Sequence, residues 1–68
     1  MHRFPQVLKE LREERKLTQA ELASNLGYKS AVTIAQWETG KRTPGLDNLI
    51  VIAKFFGITI DCLVGLEN

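Results

Sequence analysis

The side chains that could carry out catalysis in this 68-residue chain are few and far apart. The chain contains one histidine, His2, and one cysteine, Cys62, which lie 60 positions apart, so a nucleophile has no general base at a useful spacing. The Gly40-Lys41-Arg42 segment lacks the spacing of a phosphate-binding loop, and no strand precedes it. We therefore expect a protein that is not an enzyme and that has no metal, no cofactor and no small-molecule substrate.

The charge of the chain leans towards its N-terminal two-thirds. Nine Lys and Arg against eight Asp and Glu leave a net charge of +1, which by itself argues neither for nor against a polyanionic partner. Residues 1–42 contain eight basic and five acidic side chains, whereas residues 43–68 contain one basic and three acidic ones. This distribution is compatible with one basic face, as nucleic-acid-binding proteins use.

A length of 68 residues with 44% hydrophobic content suits one small core, and we expect a single domain over residues 1–68. A core of this size contributes only about 3–5 kcal/mol to the stability of the folded state, so the fold must be small and compact or must dimerise. One cysteine cannot form an intrachain disulfide, which favours a reducing compartment. No run approaches the ~20 apolar residues of a membrane span, so we expect a cytoplasmic protein with no membrane partner.

Apolar periodicity and capping signals predict two helices in the first third of the chain. An apolar face at the i, i+3, i+4, i+7 spacing runs from Phe4 to Leu11, and it predicts a helix from about Pro5 to about Arg15. The sequence Thr18-Gln19-Ala20-Glu21 has the spacing of a capping box, so a second helix begins after Thr18. Gly27 ends that helix.

Three further helices are predicted after Gly27. Ser30 offers the N-cap of a short third helix that ends at Gly40. A fourth helix, closed by Gly57, has a predicted inner stripe of Leu46, Leu49, Ile50, Ala53 and Phe56. Residues 49–53 are also compatible with a buried strand, but the flanking glycines favour a helix. Thr59 caps a brief fifth helix, Ile60 to Val64.

The second and third helices can share one small core. Leu22, Leu26, Ile34 and Trp37 take inward positions, and the small side chain of Ala23 lets two crossing helices approach. The positions left on the outside are Lys29 to Thr33, Gln36, Lys41 and Arg42. This arrangement presents the start of the third helix to a groove.

In their order and spacing these motifs resemble the helix-turn-helix family of Cro and phage repressors, which also includes restriction controllers and many antitoxins. The matching segments are Leu11 to Arg15, Leu17 to Ala23, Leu26-Gly27, Ile34 to Glu38, Gly40 to Pro44, Leu49, Ala53, Gly57 and Ile60-Asp61. The resemblance implies an all-α, lambda-repressor-like bundle of five short helices, with helices two and three as the helix-turn-helix. It also implies a sequence-specific regulator of transcription that binds double-stranded DNA as a homodimer, with repression as the favoured mode.

The resemblance assigns roles to individual positions. Gln19 matches a glutamine that clamps a phosphate, and Thr39 stands where the family often has a phosphate-binding asparagine. The candidate readers of base edges in the third, recognition helix are Ala31, Val32, Thr33 and Gln36. Lys41 and Arg42 match a pair that contacts the DNA backbone. Arg12 and Glu38 match a partly buried ion pair that ties helix one to the end of the recognition helix.

Two features depart from the commonest family pattern. Six residues separate Gly27 from Ile34 where that pattern has five. Counting back from Ile34 makes Ala31 and Val32 the first readers, whereas counting forward from Gly27 promotes Lys29 and Ser30. The second departure is chemical, because Ala31 and Val32 offer no hydrogen bonds and can read only a thymine methyl group, while Gln36 can pair with adenine. We therefore expect a preference for A·T steps.

The fourth helix has more apolar residues than one inner stripe needs. Val51, Ile52 and Phe55 add to it, so this helix is either buried on all sides or carries an apolar patch for dimerisation. Residues expected to join that patch are Cys62, Leu63 and Leu66. An alternative function follows from the same observation: an antitoxin or accessory module of this fold that acts mainly through protein–protein contact.

Overall fold

The computed structural model describes residues 3–66, and over those residues it contains five α-helices and no strand. The helices are α1 (Phe4–Glu14), α2 (Gln19–Asn25), α3 (Val32–Glu38), α4 (Leu46–Phe56) and α5 (Ile60–Leu63). The all-α prediction is confirmed, and the helix ends agree with the sequence-based ones to within one or two residues. His2 lies outside the described residues.

One hydrophobic core joins all five helices. Its buried members are Phe4, Leu8, Leu22, Ala23, Ile34, Trp37, Leu49, Ile52, Ala53, Phe56, Leu63 and Val64. Helix α1 packs against α3 and α5, α2 packs against α3, and α4 packs against α5. The α1–α3 contact includes an edge-to-face pair, in which the ring centroids of Phe4 and Trp37 lie 6.4 Å apart. Full burial of a large apolar side chain contributes about 1.5–3 kcal/mol, so this core is the main source of stability.

The predicted capping signals act as expected at two helix starts. At α2, the Thr18 hydroxyl accepts from the Glu21 N–H at 3.0 Å, and the Glu21 carboxylate accepts from the Thr18 N–H at 2.8 Å. At α5, the Thr59 hydroxyl accepts from the backbone N–H of Cys62 at 3.0 Å. Gly27, after α2, has φ +90, a left-handed conformation that only glycine adopts readily. These local devices fix where the short helices begin and end.

The predicted inner stripe of α4 is wrong in part. Leu46 is 65% exposed, whereas Ile52, which the sequence placed outside the stripe, is fully buried. The buried residues of α4 are Leu49, Ile52, Ala53 and Phe56, which also follow the i, i+3, i+4, i+7 spacing. Two apolar stripes therefore fit this helix equally well by spacing, and packing against the rest of the core selects one. Val51 is 46% exposed, so α4 is not buried on all sides.

The expectation that Leu63 belongs to a dimer patch is also wrong. Leu63 lies on α5 and is 0% exposed, because α5 packs its apolar side onto α4 and α1. Phe55 is half-buried beneath the guanidinium of Arg15, which lies 5.1 Å from its ring centroid. Of the remaining candidates, Leu66 is exposed and Cys62 is a half-buried free thiol.

Candidate nucleic-acid interface

Helices α2 and α3 and the turn between them, residues 26–31, form the helix-turn-helix unit that the sequence predicts. Leu22 and Ala23 from α2 and Ile34 and Trp37 from α3 are buried together in the core. Ala23 is only 1% exposed, as expected where a small side chain separates two closely approaching helices. Leu26, at the start of the turn, is half-buried against the same core.

Tyr28 anchors the turn to the rest of the molecule. Its backbone N–H donates to the carbonyl of Ala23 at 2.8 Å, and its hydroxyl donates to Oδ1 of Asn48 on α4 at 2.6 Å. Its ring meets that of Trp37 edge to face, with centroids 5.5 Å apart. Burial raises the pKa of the Tyr28 hydroxyl. Sequence reasoning missed this anchor, for which the signal was an aromatic residue in an otherwise polar turn.

Of the six residues between Gly27 and Ile34, four precede α3 and two belong to it. Helix α3 begins at Val32, so Lys29 and Ser30 precede the helix and are exposed. The Ser30 hydroxyl accepts from the backbone N–H of Val32 at 3.1 Å. The prediction that Ser30 is the N-cap is wrong, because the N-cap of α3 is Ala31, which makes no side-chain capping hydrogen bond, and the helix begins one residue later than predicted. This arrangement places Ala31 and Val32 at the start of the helix.

The outer face of α3 combines apolar and polar side chains. Val32 is 58% exposed, while Ala31, Thr33 and Gln36 are each partly exposed to solvent. None of these side chains is enclosed in the core, which takes Ile34 and Trp37 from this helix instead. The face is therefore open to a partner along the first two turns of α3.

The loop after α3 folds back onto the helix it follows. The carbonyl of Gln36 accepts from the Thr39 hydroxyl at 3.3 Å and from the backbone N–H of Arg42 at 3.2 Å. These two hydrogen bonds hold the loop beside the last turn of α3. Lys41 and Arg42 are both exposed, so this loop carries two positive side chains that are accessible to solvent.

A partly buried ion pair ties α1 to the end of α3. Arg12 donates through Nε to Oε2 of Glu38 at 2.6 Å and through Nη2 to Oε1 at 3.1 Å. Its Nη1 donates to the Leu17 carbonyl at 2.7 Å. The Arg12 side chain is 12% exposed and that of Glu38 is 4% exposed. The hydrogen bond to Glu38 raises the pKa of Arg12, which outweighs the opposing effect of burial.

Gln19, the first residue of α2, joins this ion pair. Its Nε2 donates to Oε1 of Glu38 at 3.1 Å, and the side chain is half-buried. The sequence singled out Gln19 and Glu38 for separate reasons, and nothing in their spacing indicates that they touch. Residues from α1, α2 and α3 thus meet at one carboxylate.

Other kinds of site are absent from the part of the chain that the structure describes. Residues 3–66 contain no group of three or more His, Cys, Asp or Glu side chains that could hold a metal ion. Over the same residues, each helix is too short or too polar to cross a membrane.

Comparison with known proteins identifies related sequences. The family profile described as Helix-turn-helix matches residues 8–61. The HTH-type transcriptional activator BcrR of Enterococcus faecalis is 44% identical over 65 residues, which are 96% of this chain and 31% of that protein. The transcriptional repressor RstR of the cryptic phage CTXphi of Vibrio cholerae is 36% identical over 61 residues, 90% of this chain and 54% of that protein.

A third relative is the HTH-type transcriptional regulator YobD of Bacillus subtilis, which is 31% identical over 65 residues. This match covers 96% of the chain and 57% of YobD. The chain thus spans between about a third and just over half of the length of these curated relatives. No solved structure matches the chain significantly.

Replacing Arg12 by alanine should lower the free energy of unfolding by about 3 kcal/mol, measured by urea denaturation. Loss of the guanidinium leaves the buried Glu38 carboxylate without its countercharge. The expected loss is at the lower end of the range for such pairs, because Gln19 still donates to Glu38. Lys9→Ala, which removes an exposed charge from the same helix, is the control and should change stability by less than about 0.5 kcal/mol. Equal losses for the two variants would contradict the role assigned to the pair.

Replacing Tyr28 by phenylalanine should lower stability by about 1 kcal/mol at neutral pH, since the hydrogen bond to Asn48 is lost. The variant should also respond differently to alkali. Burial raises the pKa of Tyr28 in the folded state, so its neutral form stabilises the fold below the unfolded pKa of about 10. This contribution is lost as the pH rises through the folded pKa. We therefore expect the difference in melting temperature between the parent and the variant, measured from pH 8 upwards, to become smaller above pH 10.

Proposed function

The chain belongs to the helix-turn-helix family, of the Cro and phage-repressor type, and we propose that it is a transcriptional regulator that binds double-stranded DNA sequence-specifically. The observation that carries this proposal is the accessible outer face of α3, followed by a loop that is hydrogen-bonded to the last turn of the helix and carries the exposed Lys41 and Arg42. In this proposal the regulator acts in the cytoplasm by binding alone, with no catalytic step or cofactor.

In the proposed complex, the start of α3 enters the major groove. The groove admits an α-helix, and side chains at the helix start then reach base edges. The proposed readers are Val32, Thr33 and Gln36, with Ala31 beside them; the support is that all four side chains are at least partly exposed. The proposed phosphate contacts are Gln19, Lys29, Ser30, Thr39, Lys41 and Arg42. Lys29 and Ser30 are given this role because they are exposed and precede the helix.

The proposed readers favour A·T base pairs. The exposed Val32 side chain can pack against the thymine methyl group, and the Gln36 carboxamide can form two hydrogen bonds with adenine. Two or three readers provide limited discrimination, so DNA shape and deformability supply the remainder.

The proposal includes repression as the mode of regulation. A DNA-binding domain represses when its occupancy of a promoter excludes the transcription machinery, whereas activation needs a further favourable contact. Among the relatives, BcrR is named an activator and RstR a repressor.

Selection from random-sequence duplexes, followed by fluorescence anisotropy over a range of salt concentrations, tests DNA binding. We expect A·T-rich half-sites and an affinity that falls steeply with salt, because phosphate contacts release counterions. Lys41→Ala should weaken binding to all sequences and reduce the slope of log K against log salt by about one. The matched control is Lys54→Ala, which removes an exposed lysine of α4 that lies outside the proposed interface.

Three results would count against this function. The proposed function would be wrong if the parent protein binds no duplex, or if its affinity for DNA does not depend on salt. Selected half-sites that are G-rich at their centre would contradict the assignment of Val32 and Gln36. Equal effects of the two lysine substitutions would contradict the place given to Lys41.

We also propose that the protein acts as a homodimer on two half-sites about one helical turn, ~34 Å, apart. A single module with few base readers binds weakly at physiological salt, and pairing two modules multiplies their effective affinity. The support for a dimer surface is the exposure of Val51 on α4 and Leu66 after α5, with Phe55 half-buried on α4. These helices pack on each other, and Leu63 is no longer a candidate.

Val51→Glu and Leu66→Glu should each convert the proposed dimer into monomers, measured by sedimentation equilibrium. A carboxylate placed in an apolar interface loses hydration without gaining a partner, which disfavours association. Leu46→Glu is the control, because Leu46 is an equally exposed apolar residue outside the proposed patch. A parent protein that sediments as a monomer, or glutamate variants that remain dimeric, would contradict this interface.

A second candidate function is an antitoxin or accessory module of the same fold that acts mainly through protein–protein contact. The observations that favour it are the net charge of only +1 and the exposed Leu46, Val51 and Leu66. This function predicts only weak DNA binding with no selected half-site, so the selection and anisotropy experiments separate it from the first.

A further inference from the structure

We propose that Glu38 is a positioning residue for DNA binding, which holds the carboxamide of Gln19 in the orientation that a phosphate contact requires. This inference rests on the proposed DNA-binding function and adds to it the residue that sets the geometry of one phosphate contact. Glu38 acts through Gln19, since its own side chain is buried and only 4% exposed.

The Glu38 carboxylate is a fixed acceptor. Arg12 donates to both of its oxygens, at 2.6 and 3.1 Å, and Arg12 is in turn held by the Leu17 carbonyl at 2.7 Å. A carboxylate held at both oxygens by a planar guanidinium has little freedom to rotate. Any group that binds to Oε1 therefore meets an acceptor at a defined place relative to α1 and α3.

Gln19 binds to that oxygen through its nitrogen, 3.1 Å away. A carboxamide has a donating NH₂ end and an accepting oxygen end, whereas an ionised carboxylate only accepts. Rotating the amide by 180° would bring its oxygen against the carboxylate, which is repulsive. Glu38 therefore selects the NH₂ end and uses one of its two hydrogens, leaving the second hydrogen for an anionic oxygen of DNA.

This contact also links two parts of the proposed interface. Gln19 is the first residue of α2, and Glu38 is the last residue of α3. Through their hydrogen bond, the donor for a phosphate is held at a fixed position relative to the helix that enters the groove. A glutamine ordered before DNA arrives also loses less conformational freedom on binding, which favours affinity.

A double-mutant cycle on the full chain tests the inference, with the selected duplex as the probe. Gln19→Ala is measured in the parent and in an Arg12→Met/Glu38→Leu background, where apolar residues replace the ion pair, a change that proteins often tolerate. We expect Gln19→Ala to raise the Kd about tenfold in the parent, since it loses a charge-assisted hydrogen bond, and by less than about twofold in the background that lacks Glu38. Gln6→Ala, at an exposed glutamine of α1, should be without effect in both.

Urea unfolding of the four proteins, measured in parallel, separates this coupling in DNA affinity from a general loss of stability. An equal effect of Gln19→Ala in both backgrounds would overturn the positioning role, because a purely structural Glu38 would leave the Gln19 contribution unchanged. No effect of Gln19→Ala in the parent would overturn it too. If the parent binds no duplex, the proposed function fails; if the parent binds DNA but Gln19→Ala has the same effect in both backgrounds, the inference alone fails. The two failures are therefore distinguishable.

A measurement on the unaltered protein keeps the inference testable if the double variant does not fold. Side-chain ¹⁵N relaxation should give the Nε2 group of Gln19 an order parameter close to that of the helical backbone. The Nε2 group of Gln6, which donates to the exposed Glu10, is the reference and should be more mobile. Equal mobility of the two amides would show that Glu38 does not hold Gln19, and would overturn the inference.

Discussion

The ion pair between Arg12 and Glu38 holds together parts of the chain that are 26 residues apart. Burying two charges is costly, and the cost is offset only where the geometry is good and the remaining donors and acceptors are satisfied. Both conditions hold here, because Arg12 donates to two carboxylate oxygens and to the Leu17 carbonyl. The interaction fixes the end of α3 relative to α1 and the loop that follows α1. In a fold of five short helices, that constraint limits how the proposed recognition helix can tilt.

Two further sets of contacts hold the two ends of α3 in place. At its start, Tyr28 holds the turn against Trp37 and Asn48, so the longer turn does not become a loose loop. At its end, the Gln36 carbonyl accepts two hydrogen bonds from the loop that carries Lys41 and Arg42. The outer face of the helix therefore has a defined position at both ends. Binding sites held in this way lose little conformational entropy when a partner arrives.

For DNA binding, the positions of the exposed basic side chains matter more than the net charge of the chain. A net charge of +1 provides little overall attraction for DNA, and only a local grouping of exposed basic side chains beside α3 supports the proposed interface. The same molecule exposes apolar residues at Leu46, Val51 and Leu66. A DNA-binding face on α3 and the proposed dimer patch of Val51, Phe55 and Leu66 are compatible in one small protein, because they lie on different elements of the fold.

The helices and the helix-turn-helix unit were predictable from the sequence, because a capping box, glycine helix ends and apolar spacing depend on residues only four or five positions apart. Thr18, Glu21, Gly27 and Thr59 were assigned correctly on this basis. Tertiary structure alone decided which of two apolar stripes on α4 is buried, and that Leu63 belongs to the core. Tertiary contacts also brought the Gln19 side chain to the Glu38 carboxylate. These outcomes depend on packing between segments that are distant in sequence. The spacing of apolar residues along one helix is compatible with several rotations of that helix about its axis, and only its contacts with the other helices select one of them.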